Sequence, residues 1–246
     1  MSEQGVANKR KLWVGEYDLS GDMNAMRLSL TGQRQDNTRF GDDTEVGAGG
    51  LETIVMEHEG IWLAGGGNSV DDVLAAQMAV ADLPISIGAE TGADGEIGYL
   101  FRAMQGLYVP INAGVIGQMH RFRVSAEGSG GDRAVRSTIM HNATRTVSGN
   151  GTARQLGLVS ATQKLYAILH VITASVGDTL DVTVESDTAS GFISPLTQIT
   201  FAQATGITKE YKTKAGPIAN DDWFRVAYTI GGASPSFEFV VLVGVL

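Results

Sequence analysis

The side chains able to do chemistry are few and scattered. Four histidines, His58, His120, His141 and His170, show no helical i, i+4 pair, and the chain has no cysteine to complete a zinc set. They read as satisfied or surface imidazoles. The acidic pairs Asp42-Asp43, Asp71-Asp72 and Asp221-Asp222 are adjacent in sequence, and neighbours on a strand point to opposite faces. That is poor geometry for a shared proton, and no calcium-loop spacing surrounds any of them. Gly65-Gly66-Gly67 lacks the lysine and the strand–helix context of a phosphate-binding loop. Trp62, Trp223 and Tyr228 lie in apolar strands and read as core. Asn142-Ala143-Thr144 and Asn150-Gly151-Thr152 match glycosylation sequons, which without a secretory signal read as chance matches. No catalytic residue, metal or cofactor is implied, and the chain is not expected to be an enzyme.

The totals narrow the partners. With 246 residues there is room for one large β domain or two smaller ones. Gly accounts for 32 residues and Pro for 5, so turns rely on backbone freedom rather than on proline. A formal net charge of −9 works against general attraction to nucleic acid or to an anionic membrane. No apolar run approaches the roughly 20 residues of a spanning helix. Residues 1–11 are polar and basic with no apolar segment after them, so they do not read as a secretory signal. The expectation is a soluble protein made in a reducing cytosol, with a flexible N-terminal arm over residues 1–11 and no membrane partner.

One helix is expected in a chain that otherwise reads as strand and turn. Over residues 69–81, Val70, Val73, Leu74, Met78 and Ala81 recur at helical spacing. Asn68 or Ser69 suits the N-cap, Asp72 the acidic capping-box position, and Asp71 and Asp72 the positive end of the dipole. Pro84 stops the helix. Its stripe needs a sheet to lie on, with Val70, Val73, Leu74 and Met78 as the packing residues. Strands are expected at Met26 to Thr31, Leu51 to Trp62, Ile85 to Ile87, Ile97 to Val109 (with a bulge), Val115 to Ala126 and Val135 to Met140. Residues 33–50 are polar, glycine-rich and without periodicity, as in a functional loop ordered by a neighbour. Thr144 to Thr152 reads as a linker. Beyond it, candidate strands at Ala153 to Leu158, Lys164 to Thr173, Thr179 to Ser186, Gln198 to Ala202, Phe224 to Ile230 and Ser236 to Val245 indicate a β-sandwich. The expected organisation is a β domain over 12–145 and a second β-sandwich over 146–246.

Several runs resemble the major tail tube proteins of long-tailed bacteriophages. They are Tyr17-Asp18-Leu19-Ser20-Gly21-Asp22-Met23-Asn24, Phe40-Gly41-Asp42-Asp43-Thr44, Gly49-Gly50-Leu51, Glu59-Gly60 and the helical Asp71-Asp72-Val73-Leu74. Later runs look like the second half of similar phage structural proteins: Ser190-Gly191-Phe192-Ile193-Ser194-Pro195, Ile199-Thr200-Phe201, Trp223-Phe224-Arg225-Val226 and Ile230-Gly231-Gly232-Ala233-Ser234-Pro235-Ser236-Phe237. These are turn and packing residues rather than a catalytic signature.

The resemblance implies a tail-tube-like β-sandwich or barrel with one flanking helix. It also implies hexameric rings stacked into a DNA-conducting tube in the virion, made in the host cytoplasm. Its partners would be other copies of itself, tape-measure, distal-tail and terminator proteins, and DNA in transit. Asp36, Arg39, Phe40, Asp42, Asp43 and Glu45 then belong to an inter-subunit loop. Thr53, Glu57 and Glu59 on one strand, with Arg121 and Arg123 on another, sit opposite the apolar faces of their strands. They either line the lumen or form an ordinary solvated sheet face. Two other readings fit the composition: a capsid decoration protein, and a carbohydrate-binding module with Tyr211, Trp223 or Tyr228 as a stacking surface.

Overall fold

The computed structural model describes residues 9–66, 69–111, 116–218 and 220–246. The candidate cap Asn68, most of the N-terminal arm and the expected strand start at Val115 lie outside them. The described residues form a mainly β structure with one helix. In chain order the elements are β1 (Lys11–Val14), β2 (Tyr17–Asp18), β3 (Met23–Asp36), β4 (Gly47–Ile61), α1 (Val70–Ala76), β5 (Leu83–Gly88), β6 (Ile97–Val109), β7 (Arg121–Gly128) and β8 (Val135–Arg145). They continue with β9 (Gly149–Asn150), β10 (Arg154–Gln155), β11 (Lys164–Ala174), β12 (Thr179–Asp187), β13 (Leu196–Thr200), β14 (Thr208–Ala215), β15 (Trp223–Gly231) and β16 (Phe237–Val245).

The chain divides into two compact units. The first joins Met1–Gly21, Pro84–Phe101 and Val135–Leu246; the second joins Asp22–Leu83 and Arg102–Ala134. The expected boundary at 145/146 therefore falls inside the first unit. Its physical reason is strand pairing: β8 runs to Arg145 and pairs antiparallel with β16, Phe237 lying opposite Arg145. The expected linker Thr144 to Thr152 is the end of β8 followed by β9, which pairs with β15.

In the first unit, β14, β11, β16, β8, the start of β6, β5, β1 and β2 are neighbours in that order, and β10, β15, β12 and β13 make a second sheet with β9 beside β15. Leu165, Ala167, Leu169 and Val171 of β11 and Phe237, Phe239, Val241 and Val243 of β16 share a core with Leu180, Val182, Val184, Phe224 and Val226 of the second sheet. The alternate residues are buried too. Tyr166, Ile168, Val240 and Leu242 pack with Trp13, Leu100, Val135 and Ile139. Strands buried on both faces read as continuous apolar runs, which is why β11 and β16 lack clean alternation. Each fully buried aliphatic or aromatic side chain contributes about 1.5–3 kcal/mol. His170 sits in this interior, bonded through its ring nitrogens to the Gly15 carbonyl and to Ser86 Oγ at 2.8 Å. β14, the Thr-Lys-Glu-Tyr-Lys-Thr-Lys-Ala strand, is not expected from apolar pattern. It is a half-exposed edge strand, pairing on one side with β11.

In the second unit, β4 pairs with β3 and β7, and β7 with the later part of β6. β6 has the expected bulge, between Gln105 and Leu107. Ile54, Met56, His58, Phe122, Val124, Ala126, Ala103 and Gln105 are buried, as are Val70, Val73 and Leu74 of the helix. The helix is shorter than expected. It ends at Ala76, and Ala79 adopts φ 58°. The chain leaves the helix because β6 captures it: Ala79 N–H donates to the Gln105 carbonyl at 3.0 Å, and Met78 bridges to Gln105. Gln105 Nε2 also donates to the Leu74 carbonyl at 2.8 Å, satisfying one orphan acceptor of the last turn. Met78 is thus outside the helix and 38% exposed. Pro84 is not the stop; it lies in β5. Ser69 is the N-cap with extended backbone, yet its Oγ donates to Asp72 Oδ2 at 2.5 Å and bonds no helix N–H. The acidic first turn has a further partner, since Tyr108 Oη donates to Asp71.

Candidate assembly surface

The alternation of β4 decides which side chains the second unit offers. Ile54, Met56 and His58 point inward, so Thr53, Val55, Glu57 and Glu59 face out. β7 does the same with Phe122, Val124 and Ala126 inward and Arg121 and Arg123 outward. The ladder sets Glu59 opposite Arg123, Ile61 opposite Arg121 and Val55 opposite Glu127, while β3 brings Arg27 opposite Glu57. Arg123 reaches diagonally to Glu57, Nη2 to Oε1 at 2.9 Å. All five residues expected on this polar face are brought together on one sheet face. Register adds Arg27 and Glu127, which the sequence reading did not pair with them. Arg27, Arg121 and Arg123 stand against Glu57, Glu59 and Glu127, so the face is charge-balanced rather than acidic. A half-exposed ion pair such as Arg123–Glu57 contributes about 0–1 kcal/mol. The pattern therefore tunes the surface more than it stabilises the fold.

Residues 33–50 are not a structureless loop. β3 and β4 stay paired out to Asp36 opposite Gly47, whereas β7 covers β4 only from Val55 to Ile61. The remainder is a two-stranded ribbon with exposed residues on both faces. Neither face is buried, so no apolar alternation marks it in the sequence. Gly32 sits beside a register shift. The turn over 37–46 is held by side-chain bonds. Asp36 Oδ1 accepts from Thr38 N at 2.9 Å and from Thr38 Oγ1, Thr38 Oγ1 accepts from Val46 N at 3.0 Å, and Asp42 Oδ2 accepts from Arg39 N at 2.7 Å. The Thr38 bonds hold the Asp36 carboxyl below its usual pKa. Arg34 Nη1 pairs with Glu45 Oε2 at 3.0 Å. Asp43 is exposed, and Phe40 is fully exposed at the tip, with Leu51 80% exposed on the ribbon.

His120 is exposed, with its ring edge-on to Trp62. His58, His141 and His170 are buried, and burial holds each imidazole down to a pKa of about 4. Neither ring nitrogen of His58 has a hydrogen-bond partner, whereas both of His170 are bonded, so the expectation of a satisfied imidazole holds for His170 and not for His58. Among the described residues no group of three or more His, Asp or Glu side chains is placed to hold a metal ion.

No protein-family model matches the chain, and no curated protein matches it. Solved structures do. One is SPP1 Dit (gp 19.1), described as a paradigm of the hub adsorption apparatus in phages infecting Gram-positive hosts. It is 15% identical over 96% of this chain and 99% of that one, with a TM-score of 0.36. Another is the sheath–tube complex of an extracellular contractile injection system, PVC, in its extended state. It is 10% identical over 56% of this chain and 94% of that one, with a TM-score of 0.44. Both similarities are at low sequence identity.

Proposed function

We propose that the chain is a structural subunit of a phage tail, and more narrowly a tail tube subunit whose copies join into rings that stack around passing DNA. The observation that carries this reading is the second unit's sheet. β3 pairs with β4 on one side, and its other edge is open along the Met23–Asp36 strand among the described residues. An open edge of this length is a template for another strand. The exposed Leu107 of β6 lies at the opposite end of the same strand order. Edge-to-edge joining of copies would close the sheets into a barrel and remove the free edge.

The ribbon supplies the second contact. It projects beyond β7 with Phe40 and Leu51 unburied, which suits an arm that lies on the neighbouring copy. The face carrying Glu57, Glu59, Arg121 and Arg123 would line the channel. Balanced charge lets a polyanion pass without holding it, because each arginine's attraction for phosphate is offset nearby. Tape-measure, distal-tail and terminator proteins are the partners this role implies. The role needs no cofactor and no catalytic group. Negative-stain imaging of the purified chain tests the reading: rings or tubes support it, and monomers or trimers at all concentrations oppose it.

A further inference from the structure

The outer face of the second sheet in the first unit carries chemistry that ring formation does not use. Leu180, Val182 and Val184 take the core side of β12, which turns Asp181, Thr183 and Glu185 outward. β15 sets Thr229 opposite Asp181, Ala227 opposite Thr183 and Arg225 opposite Glu185. β9 places Asn150 beside Ala227 and Gly149 beside Tyr228. The small side chain of Ala227 leaves a groove of ≈ 450 Å³ between these strands, lined by Asn150, Asp181, Thr183, Glu185 and Thr229. Tyr228, between Ala227 and Thr229, turns its ring to the core side, against His141 and Phe239, with centroids at 5.2 and 5.4 Å.

The flanking carboxylates are held. Glu185 Oε2 accepts from Arg225 Nε and Nη2, both at 2.8 Å. Both Asp181 oxygens accept from Gln203 Nε2, at 3.1 and 3.0 Å. Each carboxylate oxygen has two lone pairs, so acceptor capacity remains. The groove lining includes no lysine or arginine, and neighbouring Arg225 is already taken up by Glu185, so an anionic ligand would face Asp181 without a free counter-charge. An apolar ligand would strip water from these groups and return no hydrogen bond. Hydroxyls match, because they donate to carboxylates and accept from Asn150 and the threonine hydroxyls. We propose that this groove binds a neutral oligosaccharide.

The test uses the full chain and three probes, cellohexaose, maltohexaose and chitohexaose, with a heparin hexasaccharide as the anionic control. Saturation-transfer NMR detects contact, and calorimetry gives affinity. At least one neutral probe is expected to bind, and heparin at least about tenfold more weakly, as expected for a site rich in carboxylates. Asn150→Ala with Thr229→Val should weaken binding about tenfold by removing two hydrogen-bonding groups. A melting temperature matching the parent shows that the variant folds. No neutral probe bound at about 10 mM, where even a millimolar Kd gives near saturation, would overturn the proposal. So would heparin binding most tightly, or a folded variant that binds as the parent does.

Discussion

His58→Leu makes stability less dependent on pH. His58 is 2% exposed, packs edge-on against Phe122 with ring centroids 5.6 Å apart, and has no partner for either ring nitrogen. Burial holds its pKa at about 4, against an ordinary value of 6.5. Above pH 6.5 the imidazole is neutral in both the folded and the unfolded chain, so it contributes no pH dependence. Below 6.5 the unfolded chain takes up the proton and the folded one does not, so stability falls as pH drops toward 4 and then levels. The full difference is worth about 3 kcal/mol, of which about 2 kcal/mol is expressed by pH 5.

Leucine has similar volume and removes no hydrogen bond, so at pH 7.5 the variant should lie within about 1.5 kcal/mol of the parent. Urea unfolding of parent and variant at pH 7.5 and pH 5 reads the effect. Between the two values the parent should lose about 2 kcal/mol more than the variant in the transition of the second unit. His141 and His170 are common to both proteins and lie in the first unit, so they cancel in the comparison. Equal losses in parent and variant would refute the argument that His58 is buried neutral.

Three further outcomes follow from the same structure. Leu74→Asp places a carboxylate at a fully buried helix position and should cost about 3 kcal/mol or more, read as a lowered melting temperature. Replacing residues 37–46 by Asn-Gly joins Asp36 to Gly47 through a two-residue hairpin turn; the chain should fold as before by circular dichroism and fail to assemble in sedimentation. A fragment over 152–246 lacks β8, leaving one edge of β16 unpaired and removing Met140 from the first unit's core. It should therefore unfold without a cooperative transition in calorimetry.

What could be read from the sequence follows burial. β6 matches its expected bounds and its bulge because Tyr99, Phe101, Leu107 and Tyr108 mark the run as a strand of aromatic and aliphatic residues. The polar faces of β4 and β7 were legible for the same reason: Ile54, Met56, Phe122 and Val124 mark the inward side, which fixes where Glu57, Glu59, Arg121 and Arg123 point. The ribbon was missed because both of its faces meet solvent, and β14 because half-exposed Lys, Glu and Thr hide its pairing with β11. The helix end was missed because Gln105, distant in sequence, draws Met78 and Ala79 to β6. The unit boundary depends on the pairing of β8 with β16, a contact across about ninety residues that no local composition change reports. Of the candidate site, the side chains were legible and their register was not, so Arg27 and Glu127 went unpaired with the others.

The central claim is that copies of this chain join through the second unit. Negative-stain imaging of the purified full chain, beside the variant with residues 37–46 replaced by Asn-Gly, tests it most directly. The account predicts rings or stacked tubes from the parent and dispersed particles from the variant. Parent protein that stays monomeric or trimeric at every concentration, or variant protein that forms the same tubes, would contradict it.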